Sequence, residues 1–215
     1  MLSTKSKYHH LKLKLCQTMY DLMQHGMNKG SSGNASCRVQ DGFLVTPSAL
    51  SPLVMTPEDV VLLNFEGIVL EGKKPSSEWR FHRDIYLARG EIDGIVHTHS
   101  MYSTTLACMH REIPPFHYMI AIAGGDSIRC APYALFGTQD LSNYAVKALE
   151  GRLACLLANH GLIALGLDLK GAYDMSIEVE HLAEQYWRLL QTDEVHLLSH
   201  TQMTDVLERF KTYKV

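Results

Sequence analysis

The chain has 215 residues, 46% of them hydrophobic, and its 20 basic side chains stand against 23 acidic ones for a formal charge of −3. That is enough apolar material for a buried core in a single α/β domain spanning residues 1–215, and the balanced charge, with no basic block, excludes the electrostatic footprint of a nucleic-acid binder while leaving room for a small-anion site. The five cysteines (Cys16, Cys37, Cys108, Cys130, Cys155) are scattered and never paired as C-x-x-C, and no apolar run is long enough to span a bilayer, so a cytoplasmic protein with no membrane partner and no disulfide framework is expected.

Over residues 8–24 the apolar positions Leu11, Leu15, Met19 and Leu22 recur at three- and four-residue spacing, one stripe of an amphipathic helix that Gly26 or Gly30 can end. Gly30-Ser31-Ser32-Gly33-Asn34-Ala35-Ser36 follows. Its small side chains leave backbone N–H groups bare, which suits an anion cradle, though the loop taken alone is better read as an ordinary flexible turn. Strands are expected over residues 37–45 and 60–64, with Thr46-Pro47-Ser48-Ala49 as a turn between them and Thr56-Pro57-Glu58-Asp59 as a capped helical start. Glu66-Gly67 turns the second strand back into Ile68-Val69-Leu70.

Pro75 stops that strand, Ser77 is a suitable N-cap, and residues 78–89 continue as helix until Gly90. Ser76 and Ser77 therefore sit at a positive helix end, where orphan N–H groups and the dipole favour a phosphate. Glu78 looks at the same spot, though on local sequence alone a helix-capping carboxylate is the better account of it. Next comes Ile95-Val96-His97-Thr98-His99-Ser100. Strand side chains alternate faces, so His97 and His99 can reach one ion, although two polar residues on a half-exposed strand would read the same. A tetrahedral zinc site leaves two positions to fill, and His160 in the Asn159-His160-Gly161 turn and Glu78 are the best-placed candidates.

Residues 103–110 read as helix, stopped by Pro114-Pro115. Phe116-His117-Tyr118-Met119 then leads to Ala123-Gly124-Gly125, which lacks the wider dinucleotide fingerprint and is not read as a nucleotide site. Ala131-Pro132-Tyr133 and Phe136-Gly137-Thr138 read as strand and turn before a helix over 139–149. The apolar runs 154–158 and 162–165 flank Asn159-His160-Gly161 as a buried hairpin whose histidine tip can face the His97 strand. Apolar positions 172, 175, 179, 182, 186 and 189 mark a long helix over 169–190, capped by Asp168, on which His181 is structural. A last helix is expected over 203–213, carrying Phe210 and Tyr213.

Taken in order, Gly33-Asn34-Ala35-Ser36, Thr46-Pro47-Ser48, Pro75-Ser76-Ser77-Glu78, His97-Thr98-His99 and Asn159-His160-Gly161 resemble the class II aldolase and adducin family. The resemblance covers nearly the whole chain and extends to the string PSSEWRFH at residues 75–82, to residues 117–120 with Gly124-Gly125, and to Phe210-Lys211-Thr212-Tyr213. It implies a three-layer α/β fold with a mostly antiparallel central sheet flanked by helices, in a homotetramer with active sites at subunit interfaces. It implies zinc on His97, His99 and His160, with Glu78 as a fourth ligand or as the acid/base. The substrate phosphate would rest on Asn34, Ser76 and Ser77, helped by Ser31 and Thr46. Tyr118 of a neighbouring subunit would be the proton donor, and Phe136, Phe210 and Tyr213 would line the mouth.

The activity so implied is reversible cleavage of a ketose 1-phosphate, L-fuculose 1-phosphate or a similar deoxy sugar phosphate, into dihydroxyacetone phosphate and a small aldehyde. Alternatives on the same scaffold are 5-deoxyribulose or 5-methylthioribulose 1-phosphate as substrate, a pentulose-phosphate 4-epimerase, a methylthioribulose-1-phosphate dehydratase, and a non-catalytic adducin-like module. Two departures from the family pattern bear on the substrate: Ala49 stands where the Thr-Pro-x-Gly turn has glycine, and the chain stops two residues after Tyr213.

Overall fold

Eight short, largely apolar segments pair into one sheet in the computed structural model, which describes residues 7–192 and 194–212. In chain order they are β1 (Asn34–Val39), β2 (Gly42–Val45), β3 (Val61–Leu63), β4 (Val69–Glu71), β5 (Gly94–Thr98), β6 (Cys130–Ala131), β7 (Ala154–Leu157) and β8 (Gly161–Gly166). The helices are α1 (His9–Gln24), α2 (Trp79–Ala88), α3 (Met101–Cys108), α4 (Gln139–Ala148), α5 (Leu169–Leu189) and α6 (His200–Thr212). The spatial order is β4-β3-β2-β1-β5-β8-β7-β6, and every pairing is antiparallel except β6 with β7.

Two-residue periodicity divides the central strands between two cores. Ile95, Cys155, Leu157, Ile163 and Leu165 pack with α2 and α4 on one face. On the other, Ala154, Leu156, Leu162 and Ala164 meet α3 and α5, and Ala35, Cys37 and Val96 meet α1. Helices thus cover both faces, the three-layer arrangement expected. Central strands sandwiched in this way read as continuous apolar runs, which is why β7 and β8 show no polar alternation. No helix among the described residues is long and apolar enough to cross a membrane.

Several expected boundaries move, each for a local reason. The strand expected over 37–45 is a hairpin, β1 and β2, turned at Gln40-Asp41. Gly42, at φ +145°, passes so near β3 that a Cβ there would lie 2.0 Å from the Leu63 carbonyl oxygen. β1 also starts earlier, so Asn34, Ala35 and Ser36 belong to the sheet and not to the loop. Ser77 is not the N-cap of α2. Glu78 holds that position without a side-chain capping bond, and the Ser76 hydroxyl accepts the Glu78 N–H at 3.3 Å. The strand expected at residues 131–133 is only Cys130–Ala131, because Pro132 has no N–H to extend the ladder. Asp168 caps α5 as expected, accepting from Gly171 N; at the short helical start expected from Thr56, Asp59 Oδ2 accepts from both the N–H and the hydroxyl of Thr56. Tyr213 lies outside the described residues.

Candidate active site

Register brings the histidines together. In β5 the His97 side chain shares a face with Ile95, beneath α2, and its Cα partners are Asn34 on β1 and Ile163 on β8. The β7–β8 turn then carries His160 to the same place. Asn159 adopts φ +55°, a left-handed conformation that asparagine tolerates, and the His160 N–H closes the turn on the Leu157 carbonyl. Gly161 makes the approach possible, since a Cβ at that position would stand 2.3 Å from the Thr98 carbonyl oxygen.

The four groups converge tightly. One ligand atom each from Glu78, His97, His99 and His160 lies within 4.8 Å of all the others. His97 Nε2 is 3.0 Å from His99 Nε2 and 3.2 Å from Glu78 Oε2, and His160 Nε2 is 3.1 Å from Glu78 Oε1. His97 Nδ1 lies 2.9 Å from the Leu162 carbonyl and donates to it, so in the neutral ring Nε2 presents a lone pair to the cluster. Burial, with His97 and His160 beside it, pushes His99 down to about 3. Burial alone would raise the Glu78 carboxyl, but His97 and His160 outweigh it and hold the group well below the usual carboxylate range.

Such a set fits a metal ion on its own chemistry. Imidazole nitrogens and a carboxylate face one another, and Glu78 Oε1 is buried with no hydrogen bond, a costly arrangement unless a cation completes it. The capping role that local sequence allowed for Glu78 is therefore not what its side chain does. Two further side chains, absent from the sequence-based list, hold the ligand strand. Asn28 Oδ1 accepts the His99 backbone N–H at 2.9 Å. Glu180 of α5 accepts from the Ser100 hydroxyl and from the N–H groups of Tyr102 and Ser103, so α3 begins at Met101 and not at Ser103. Nothing local marks either residue, because each acts across a long stretch of chain.

The cluster opens into a cavity of about 390 Å³. Ser31, Asn34, Ser76, Ser77 and Phe136 line it with Glu78, His99 and His160, so five of the expected substrate contacts are brought together. Its walls are tied to each other: Ser76 N donates to the Thr46 carbonyl at 3.0 Å, and Ser48 N to the Lys74 carbonyl at 3.2 Å. Thr46 itself is buried behind the lip, its hydroxyl accepting from Ala35 N. Ala49 lines the cavity with φ +56°, the left-handed geometry that glycine would adopt freely.

Tyr118 and Phe210 are not in this cavity. Both line a second one, of about 800 Å³, with Met119, Ile122 and Val206, and Tyr118 is 51% exposed at the start of a 3-10 turn. His181 is exposed on α5 and hydrogen-bonded to Gln185, the structural place expected for it.

Comparison with known proteins agrees with this geometry. Residues 13–187 match the class II aldolase and adducin N-terminal domain. A 5-methylthioribulose-1-phosphate/5-deoxyribulose-1-phosphate aldolase of Rhodospirillum rubrum is 54% identical over 188 residues, 87% of this chain and 85% of that protein. An L-fuculose phosphate aldolase of Escherichia coli is 44% identical over 201 residues, 93% of this chain and 94% of its own length. A solved L-fuculose 1-phosphate aldolase superposes with a TM-score of 0.91 at 38% identity, covering 94% of this chain and 96% of its own. The chain belongs to the class II aldolase and adducin family.

Proposed function

We propose that this class II aldolase uses zinc to cleave a deoxy ketose 1-phosphate into dihydroxyacetone phosphate and a short, apolar-tailed aldehyde, as a cytoplasmic homotetramer. The observation that carries the proposal is the Glu78–His97–His99–His160 cluster on the wall of a cavity whose other side is made of serine-rich loops. His97, His99 and His160 would hold the ion, with Glu78 beside it. When bound, zinc supplies a Lewis acid that stabilises negative charge developing on a ketone and its neighbouring hydroxyl.

The chain's own groups do the rest. In the addition direction Glu78, a carboxylate kept ionised by its surroundings, takes the proton from the triose carbon, and in cleavage it returns that proton to the same carbon. Ser76 and Ser77, at the positive end of α2, and Ser31 receive the phosphate, whose binding energy orients the small ketone. In the addition direction Tyr118 of a neighbouring subunit gives the proton to the alkoxide formed on the aldehyde half, and in cleavage it takes that proton back from the hydroxyl that becomes the aldehyde carbonyl, which accords with its place outside the metal cavity of its own chain. An adducin-like module without catalysis is disfavoured because every ligand is present and converged.

The apolar rim selects the aldehyde. Tyr133, Ala134 and Phe136 line the cavity, and a hydroxyl buried against them without a partner costs about 1–3 kcal/mol. The relatives named above act on methylthio-, deoxyribulose and fuculose phosphates, each of which would release an aldehyde ending in a methyl or thioether group. A cleavage panel of these three ketose 1-phosphates, coupled to detection of dihydroxyacetone phosphate and compared by kcat/KM, tests the proposal. Turnover that yields dihydroxyacetone phosphate supports it; epimerised or dehydrated product without that triose would replace the reaction while keeping the scaffold.

A further inference from the structure

Beneath α2, polar side chains are buried that the metal cluster does not account for. Ser36, His82 and Tyr86 are 0%, 0% and 1% exposed, and burying hydroxyls and an imidazole is unfavourable unless each finds a partner. Here each does, and the donors all point one way. Asn34 Nδ2, which can only donate, reaches Glu78 Oε2 at 2.9 Å. The amide's Oδ1 can only accept, so His82 Nε2, 2.5 Å away, carries the ring proton. In a neutral ring Nδ1 is then the acceptor, and it takes the Ser36 hydroxyl proton at 2.7 Å. Ser36 Oγ accepts in turn from the Tyr86 hydroxyl at 2.8 Å. Burial pushes His82 down to about 3, so the ring stays neutral and the direction of donation is fixed.

The two secondary structures keep this chain in step. Glu78, His82 and Tyr86 stand four residues apart along α2, while Asn34 and Ser36 stand two apart on one face of β1. Four helical residues rise by about 6 Å and two strand residues by about 7 Å, so a helix stripe and a strand face can run alongside each other for this length.

We propose that Tyr86, Ser36, His82 and Asn34 form a positioning device for Glu78, holding Oε2 through the Asn34 amide and leaving Oε1 free for the reacting proton or the ion. His97 is committed elsewhere, its Nδ1 proton to the Leu162 carbonyl and its Nε2 to the cluster that would hold the ion. Ser36, His82 and Tyr86 are positioning residues that do not line the cavity; Asn34, which does, keeps one amide N–H for it. The kinetic consequence rests on the aldolase function proposed above; the order of the hydrogen bonds does not.

Three substitutions separate positioning from packing. His82→Gln places an amide donor where Nε2 stands, His82→Asn places its amide near Nδ1, and His82→Phe keeps the ring without either. His82→Phe and His82→Asn are expected to lower kcat by roughly tenfold or more, with KM within about twofold and metal content unchanged, while His82→Gln recovers most of the rate. Equal kcat in all three, or a folded His82→Gln as slow as His82→Phe, overturns the proposal. Should His82→Phe fail to fold, Ser36→Ala frees Nδ1 and is expected to lower kcat in the same way; an unchanged rate counts against the device. Nitrogen-15 NMR of the imidazoles reads the chain without turnover, in apo and metal-loaded protein alike. His82, assigned by the signal lost in His82→Gln, is expected as the neutral Nε2–H tautomer, and an Nδ1–H tautomer overturns the proposal. A wild-type protein that cleaves no ketose 1-phosphate would instead refute the aldolase function, and the tautomer would still decide the hydrogen-bond order.

Discussion

Glu78 is 6% exposed and is contacted by side chains from β1, β5 and the β7–β8 turn, whereas Tyr118 is 51% exposed on a 3-10 turn beside an apolar cavity. The first region is finished within one chain: each imidazole and carboxylate has its place before any ligand arrives. The second presents Tyr118, Met119, Ile122 and Phe210 without a converging polar group of its own chain's metal cluster. Under the proposed function, the charge-stabilising half of this chemistry is preorganised by the sheet, while the proton-donating half, Tyr118, would be completed by a neighbouring subunit. Preorganisation of the first kind is where a catalyst obtains its largest electrostatic advantage.

Removing a ligand should break the finished region most severely. His97→Ala and His160→Ala are each expected to lose most of the bound metal and to lower turnover by about a thousandfold or more, while His181→Ala keeps both. Metal analysis beside a cleavage assay decides this; stoichiometric metal in the His160 variant would remove that residue from the site. Glu78→Gln comes next, with kcat expected to fall by roughly a hundredfold to ten-thousandfold and thermal unfolding near that of the parent. Wild-type turnover in that variant would return Glu78 to a structural role.

The unfinished region is tested by Tyr118→Phe, expected to slow cleavage by roughly tenfold to a hundredfold without altering the oligomer. Co-assembly sharpens the contrast. Mixed oligomers of Glu78→Gln and Tyr118→Phe chains should regain activity that neither has alone, and a mixture no better than its parts would place both residues in one chain's site.

Smaller effects probe the backbone. Gly161→Ala must push the β7–β8 turn off Thr98, costing about 1–3 kcal/mol in stability and weakening metal retention, as chemical denaturation with metal analysis can show. Ala49→Gly should do the reverse on a smaller scale. Relief of the left-handed alanine is expected to stabilise the fold by about 0.5–1 kcal/mol, read from the denaturation midpoint, and a loss of stability would mean the methyl group packs usefully against the cavity wall.

Much of this was legible in the residues. The α1 and α5 stripes and the His160 hairpin tip follow from periodicities of 3.6 and 2, and the structure has them; His97 and His99 converge as expected, although β5 ends at Thr98 and His99 stands just beyond it. Asp41-Gly42 is a hairpin signal that a continuous apolar reading of 37–45 passes over. Ser77 looked like the cap of α2, but an intervening tie from Ser76 to Thr46 sets the helix start one residue later, a contact that no local rule contains. His82 and Tyr86 carry a visible four-residue spacing from Glu78, yet that spacing means something only when Asn34 and Ser36 are known to lie opposite. Asn28 and Glu180 gave no sign, since each supports backbone that is remote in sequence.

The register of β1 against β5 has a consequence for how the protein matures. The groups of the site run from residue 31 to residue 160, around strands whose neighbours in the sheet are far apart along the chain. Closing such loops is slow, and a nascent or partly refolded chain holds no more than the His97–His99 pair until β8 docks. Metal capture is therefore expected as a late event in refolding, so the rate at which the chain takes up an ion measures the completion of its sheet and not the encounter with the ion.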